Sequence, residues 1–254
     1  MSGYRYGYII CFTIIVFLEY LWDFRRSWMY PTSSAFIVYC LLMIGDKKQM
    51  TKPQFSASFT AGSLFVNEFI ALSDQLISEN ILEILRNEVK LNHVLSIKSE
   101  KARSRVVSEI KKRIKAVDGS FWHFFLECSD PEKYVSLFYV CMKTYALVFD
   151  LHFEVVVKRW RILEREISLY DLQMRFDELA SQTDTNIGNW TESTRKKLIQ
   201  TYLRMLREAK LLHQTTLIKP NIPNPDFWKY FIHQGDAWFL DACFLTKLDK
   251  EALL

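Results

Sequence analysis

Twice in this chain a hydroxyl-bearing residue opens a stretch in which apolar side chains recur at helical spacing and cations gather on the opposite face. The clearer copy runs from Thr191 to Leu212. Thr191 is a candidate N-cap, since its hydroxyl can accept a hydrogen bond from an orphan N–H of the first turn. Leu198, Ile199, Tyr202, Leu203 and Leu206 then form one stripe. At about 100° per residue, Ser193, Lys197, Gln200, Arg204 and Arg207 come round on the other side. Such a pattern predicts a helix with a buried inner face and long cationic side chains outside.

The earlier copy, Ser99–Val117, starts with a candidate Ser cap and predicts burial of Val106, Val107, Ile110 and Ile114. Its outward face carries Lys101, Arg105, Ser108, Lys112 and Lys115. Laid cap on cap, Ser99 meets Thr191, Glu100 meets Glu192 and Arg103 meets Arg195. The outward residues then pair in order: Lys101 with Ser193, Arg105 with Lys197, Ser108 with Gln200, Lys112 with Arg204, Lys115 with Arg207. This reads as a degenerate internal repeat of one helical module.

Around these helices the composition is that of a helical protein. Half of the 254 residues are apolar, 15% are aromatic, and there are only 7 Gly and 6 Pro. Such totals supply a substantial core and few tight turns. The net charge of +4 is small, so a nucleic-acid surface has to come from clustering rather than from overall charge. The 5 cysteines (Cys11, Cys40, Cys128, Cys141, Cys243) are scattered, without CxxC and without His at ligand spacing. That pattern argues against a zinc site or a disulfide framework and fits a reducing cytoplasm.

The chain divides into four stretches. Residues 1–49 are apolar in two runs, Tyr8–Trp22 and Ala35–Ile44, neither reaching the roughly 20 residues of a spanning helix. Arg25 and Arg26 would suit a membrane anchor, but Met50-Thr-Lys-Pro-Gln looks like an ordinary N-terminus. Gly45-Asp46 can also be encoded by a purine-rich ribosome-binding sequence, so Met50 is the expected natural start. Residues 50–119 hold a small-residue lead-in from Phe55, a helix over about Leu64–Ile77, and a second over about Asn80–Asn92 with Ile81, Ile84, Leu85 and Val89 inside. The first basic helix follows, closed by Asp118-Gly119 with Gly at a left-handed C′ position. Helix, connector and basic helix have the outline of a helix-turn-helix.

Residues 120–182 form an aromatic helical middle that includes Phe121, Trp122, Phe138, Tyr139 and Tyr145, with a helix start at Asp130-Pro131. A long helix over about Glu132–Phe149 runs on towards Lys158–Glu166. The helical spacing makes these aromatics core rather than a base-stacking platform. Leu169–Ala180 is a further helix. Residues 183–254 contain a polar loop, the second basic helix, a short β-like run at Thr215–Lys219 that resembles the wing of a winged helix, and a C-terminal packing element over Asp226–Leu248. The fold expected is therefore all-α, two helix-turn-helix or winged-helix-like modules joined by the middle stretch.

No P-loop, GxGxxG, HExxH, GxSxG or kinase set occurs. The 5 histidines (His93, His123, His152, His213, His233) are isolated and read as core-edge or surface residues rather than general bases. Carboxylates stand beside cations, as in Lys158–Glu166, where pairing on a solvated face is the plain account. An enzyme is accordingly the weaker class, with no cofactor and no metal expected. The basic helices carry the functional signal. Lys98, Lys101, Arg103, Arg105, Lys111, Lys112, Arg113 and Lys115 face two glutamates in the first; Arg195, Lys196, Lys197, Arg204, Arg207 and Lys210 face two in the second. One such helix would pass as a solvated face, but two with the same cap, stripe and cations favour phosphate binding. Arg103 and Arg195 fall on the side of the stripe and are expected to pair with a carboxylate or carbonyl of the preceding helix.

Phe55-Ser-Ala-Ser-Phe-Thr-Ala-Gly-Ser-Leu, the Ser99–Ile114 helix and Trp190-Thr-Glu-Ser-Thr-Arg-Lys-Lys-Leu together resemble BrxA, a family of the BREX (bacteriophage exclusion) defence systems. The similarity runs from about Phe55 to the C-terminal region and leaves residues 1–49 uncovered. It implies an all-helical, non-enzymatic protein encoded beside a methyltransferase and an ATPase, its partners double-stranded DNA and other BREX components. Likeness of the family to NusB keeps RNA as an alternative, and a protein-docking scaffold is another; a membrane anchor is disfavoured. The DNA-binding residues expected are Lys101, Arg105, Ser108, Lys112, Lys115, Ser193, Lys197, Gln200, Arg204 and Arg207.

Overall fold

Ser129 and Glu132 start the helix on which most of the protein is packed. The backbone N–H and hydroxyl of Ser129 both donate to the Glu132 carboxylate at 2.7 Å, closing a capping box with Pro131 in the first turn. In the computed structural model, which describes residues 55–182 and 185–253, this helix spans Asp130–Thr144 and is buried without a break from Val135 to Met142. A helix apolar all round needs neighbours all round. The apolar runs before residue 50 and the expected start at Met50 lie outside the described residues.

The elements before that helix are α1 (Val66–Ala71), α2 (Ser73–Leu76), α3 (Ile81–Leu91), α4 (Glu100–Lys115) and α5 (Gly119–Glu127), preceded by a 3₁₀ turn at Ser58–Ala61. The expected Leu64–Ile77 helix is thus in two pieces, divided at Leu72. Asp118-Gly119 also differs from expectation. Helix α4 ends in right-handed geometry at Ala116, and Asp118 instead caps α5, accepting from the N–H groups of Ser120 and Phe121. Gly119 is the first residue of that next helix. An Asp followed by a small residue serves an N-cap as well as a C′ turn, and the nearby acceptor decided between them.

The buried helix itself is α6. Tyr145, with an extended backbone, separates it from α7 (Ala146–Leu151), which continues through a π-helical segment at His152–Val157 into α8 (Lys158–Arg161). The sequence predicted one long helix here, and the structure turns it at the residue whose phenol is needed elsewhere. His152 is a correction to the histidine reading. It is fully buried, its ring nitrogens 2.8 Å from Tyr202 Oη and from Ala242 O, with Phe138 edge-on to the ring. Two polar partners satisfy an imidazole deep in the core.

Helix α9 (Leu169–Ser181) opens with a second capping box, Ser168 with Asp171, and leads through a 3₁₀ turn at Ile187–Asn189 into α10 (Glu192–Glu208). The hairpin β1 (Leu212–His213) and β2 (Thr216–Leu217) follows. A third segment joins it. Glu166 bridges Thr216, the Ile167 N–H donates to Thr215 O at 2.9 Å, and the Leu217 N–H donates to Arg165 O at 2.6 Å. The chain order is therefore strand segment, helix, helix, hairpin, with the first segment paired to the last strand.

The C-terminal pattern resolves into α11 (Pro225–His233), α12 (Trp238–Ala242) and α13 (Lys247–Glu251). The aromatics meet around α5, α6 and α11. Phe121 stacks on Tyr139 with centroids 5.5 Å apart, and Phe124 lies flat on Tyr230 at 3.8 Å. Such pairs contribute about 1 kcal/mol each beyond the area they bury. Expected as core, they are core.

Candidate nucleic-acid interface

Both basic helices are capped as expected. The Ser99 hydroxyl accepts from the Ala102 N–H at 3.3 Å, and the Thr191 hydroxyl accepts from the Thr194 N–H at 3.2 Å. Their inner faces are covered: Val107, Ile110 and Ile114 in α4, and Leu198, Ile199, Tyr202, Leu203 and Leu206 in α10, are buried. Val106 is only half-buried. Helix α4 packs on α3 and α6, α10 packs on α9 and α6, and both touch the 3₁₀ turn at Ser58–Ala61.

With the stripes buried, the outward positions are exposed. Lys101, Arg105, Ser108, Lys112 and Lys115 on α4 and Ser193, Lys197, Gln200, Arg204 and Arg207 on α10 all reach solvent. They are not equally free. Lys112 donates to Glu109 at 2.6 Å, and Arg204 donates through Nε to Glu208 at 2.9 Å. The Ser193 hydroxyl lies 3.0 Å from the Thr191 hydroxyl, at the cap. Among the described residues Arg105, Lys197 and Arg207 make no ion pair, so their charge is open to an outside anion.

Arg103 and Arg195 do what their position predicted. Arg103 is buried and donates to Val89 O at 2.7 Å and Ile97 O at 2.6 Å, stapling α4 to α3 and to the connector between them. Arg195 donates to Ile187 O and to the Asp177 carboxylate, both at 3.3 Å, tying α10 back to α9. Equivalent residues of the two copies thus perform equivalent tethering.

Arg113, counted above with the cations of the first helix, is a correction: its side chain is fully buried. Nη1 donates to Leu64 O at 2.8 Å, Nη2 to Ser63 O at 2.6 Å and Nε to Tyr145 Oη at 3.2 Å. The guanidinium also lies over the Phe65 ring at 4.5 Å. Burying a guanidinium costs several kcal/mol unless its donors are met, and three acceptors and a ring face meet them. Gly62 belongs to this arrangement, since a Cβ there would sit 2.1 Å from the Phe65 ring. Phe65 itself is left-handed, with φ 60°.

One cation escaped the sequence reading. Arg86, exposed on α3, lies near Lys111; burial and then the repulsion of Arg86 and Lys115 lower the Lys111 pKa from its ordinary value. Nothing in the α4 pattern points to Arg86, because its place beside α4 depends on how α3 packs. The first basic face is therefore wider than its own helix. Among the described residues no His, Cys, Asp and Glu gather as a metal site, and no helix is long and apolar enough to cross a membrane.

Fold and surface together define a mainly helical protein that presents two cap-aligned basic helices. The sequence profile of the BrxA family matches residues 53–235, most of the chain, and the chain belongs to that family, a component of BREX phage defence. A comparison with functionally curated proteins returned no match. A crystal structure of an uncharacterized protein from Magnetospirillum magneticum superposes with a TM-score of 0.64 at 18% identity, covering 75% of this chain and 98% of that one. At that identity the likeness speaks for the fold alone.

Proposed function

We propose that this protein binds double-stranded DNA, without catalysing a reaction, as its part in BREX phage exclusion. The observation that carries the reading is the partition of two repeat-related helices into a wholly buried or half-buried stripe and a wholly exposed basic face. Phosphates draw binding energy from such cations by releasing condensed counterions, and an α-helix fits the major groove. A second support is connectivity. Strand segment 165–167, α9, α10 and the β1–β2 hairpin follow one another as the parts of a winged helix do, which would make α10 the groove helix and the exposed turn at Gln214 and Thr215 its wing.

The test is a salt series on duplex DNA and on RNA of the same sequence. Steep duplex binding is expected, and Arg204→Glu with Arg207→Glu should lower affinity at least tenfold and cut the log–log salt slope by about 2. Unchanged affinity removes α10 from the interface, and preference for RNA moves the reading to the NusB-like alternative. One observation favours a protein-docking role beside DNA binding: Ile162 and Leu163, directly after α8, and Leu169, Tyr170 and Met174, in α9, are all exposed. Co-purification of BREX partners that survives nuclease treatment would support it.

A further inference from the structure

Lys112 and Arg204 occupy the same place in the two copies of the repeat, and each is held by a glutamate that also reaches into the core. Glu109, itself buried, takes Lys112 Nζ on one oxygen at 2.6 Å and the Tyr145 hydroxyl on the other at 2.7 Å. Glu208 takes Arg204 Nε at 2.9 Å and the Ser63 hydroxyl at 2.6 Å on one oxygen, and the Leu64 N–H at 2.9 Å on the other. The two glutamates are not repeat-equivalent: Glu109 precedes its cation by three residues and Glu208 follows by four.

Between them stands Arg113. Its Nε donates to the same Tyr145 oxygen that donates to Glu109, and its Nη atoms donate to the carbonyls of Ser63 and Leu64, whose hydroxyl and N–H donate to Glu208. The result is a continuous chain of hydrogen bonds: Lys112, Glu109, Tyr145, Arg113, the Ser63–Leu64 pair, Glu208, Arg204. Burial pushes the Tyr145 phenol well above its ordinary pKa and the neighbouring Cys141 thiol up to about 11, as befits a site shielded from water. In such surroundings each bond polarises the next, and the loss of one alters the rest.

We propose that Tyr145, Arg113 and the Ser63–Leu64 pair are positioning residues that couple Lys112 and Arg204, so that the two basic helices meet DNA as one energetically linked surface. The inference rests on the DNA-binding reading. A phosphate that draws Lys112 outward shifts the burden of Glu109 onto Tyr145 and Arg113; one that draws Arg204 does the same to Glu208 and the Ser63–Leu64 pair. Both burdens end on the one guanidinium. Arg105 and Lys197, also repeat-equivalent, have no ion pair among the described residues and serve as the uncoupled control.

A double-mutant cycle on the full chain tests this, with a labelled DNA duplex as probe. Lys112→Met and Arg204→Met should each weaken binding about tenfold. Together they should weaken it by about thirtyfold or less, not the hundredfold of independent sites. Arg105→Met and Lys197→Met should multiply. Tyr145→Phe keeps every outward cation and cuts the chain in the middle, so in that background the Lys112 and Arg204 losses should multiply too. If Tyr145→Phe folds too poorly for binding to be read, Ser63→Ala interrupts the other end and must likewise reduce the coupling. Simple multiplication for Lys112 and Arg204 in the unaltered protein overturns the coupling and leaves DNA binding standing. No effect of either single substitution, with no binding by the parent chain, overturns both.

Discussion

The α3–α4 and α9–α10 pairs share a cap, a tethering arginine and an outward basic face, yet they are secured by different means. Between α3 and α4 the connector is held by polar groups: the buried Glu88 carboxylate accepts from the N–H groups of His93, Val94 and Leu95, and Asn92 accepts from Ile97. Helix α4 then drives a charged side chain, Arg113, into the core. Helix α10 has no buried cation. Its inner face is aliphatic apart from Tyr202, which meets His152, and its C-terminal side is flanked by the hairpin. One surface pattern thus sits on either a polar or an apolar foundation, and the foundation sets how each helix fails.

Three measurements test that contrast. The largest effect is expected at Arg113. Arg113→Met leaves the Tyr145 phenol oxygen and the Ser63 and Leu64 carbonyls without their shared donor and should cost about 3–5 kcal/mol in denaturant unfolding. A loss below about 1 kcal/mol would mean that α4 rests on its aliphatic stripe, as α10 does.

Next comes the His152 contact under α10. Burial holds its imidazole at a pKa of about 4 against 6.5 when unfolded, so the unfolded chain takes up the proton first as pH falls. Stability should be fully present above pH 6.5 and decline by about 3 kcal/mol towards pH 4. Melting curves at pH 7 and 4.5, with His152→Asn to flatten the difference, would show it; an equal slope in the variant assigns the loss to other groups.

The smallest effect separates the two tethers. Arg103→Met, at a buried site with two carbonyl acceptors, should cost about 2 kcal/mol, and the half-exposed Arg195→Met about 0–1 kcal/mol, read as paired shifts in thermal midpoint. Equal costs would erase the difference between the pairs at this position.

Much of this was legible in the residues because it depends on local periodicity. The caps at Ser99 and Thr191, the stripe of α10, the exposed cations and the inward turn of Arg103 follow from where a side chain falls on a helix. Asp118-Gly119 was misplaced because its local chemistry suits either helix end. Arg113 and His152 were misread for another reason: a polar residue on a helix flank is bound for solvent unless partners elsewhere in the chain can satisfy it. Those partners, Ser63, Leu64 and Tyr145 for one and Tyr202 and Ala242 for the other, lie far away in sequence.

Local periodicity dictates that this chain is helical, that two of its helices repeat one amphipathic design, and which cations those helices turn outward, since a helical period is set by residues three and four apart. Long-range packing, by contrast, dictates that Glu109 and Glu208 hold Lys112 and Arg204 from a common buried centre, that Arg86 joins the first basic face, and that residues 165–167 pair with the hairpin. Each of those depends on side chains or backbone brought together across long stretches of chain, where packing and the satisfaction of buried polar groups decide the partner.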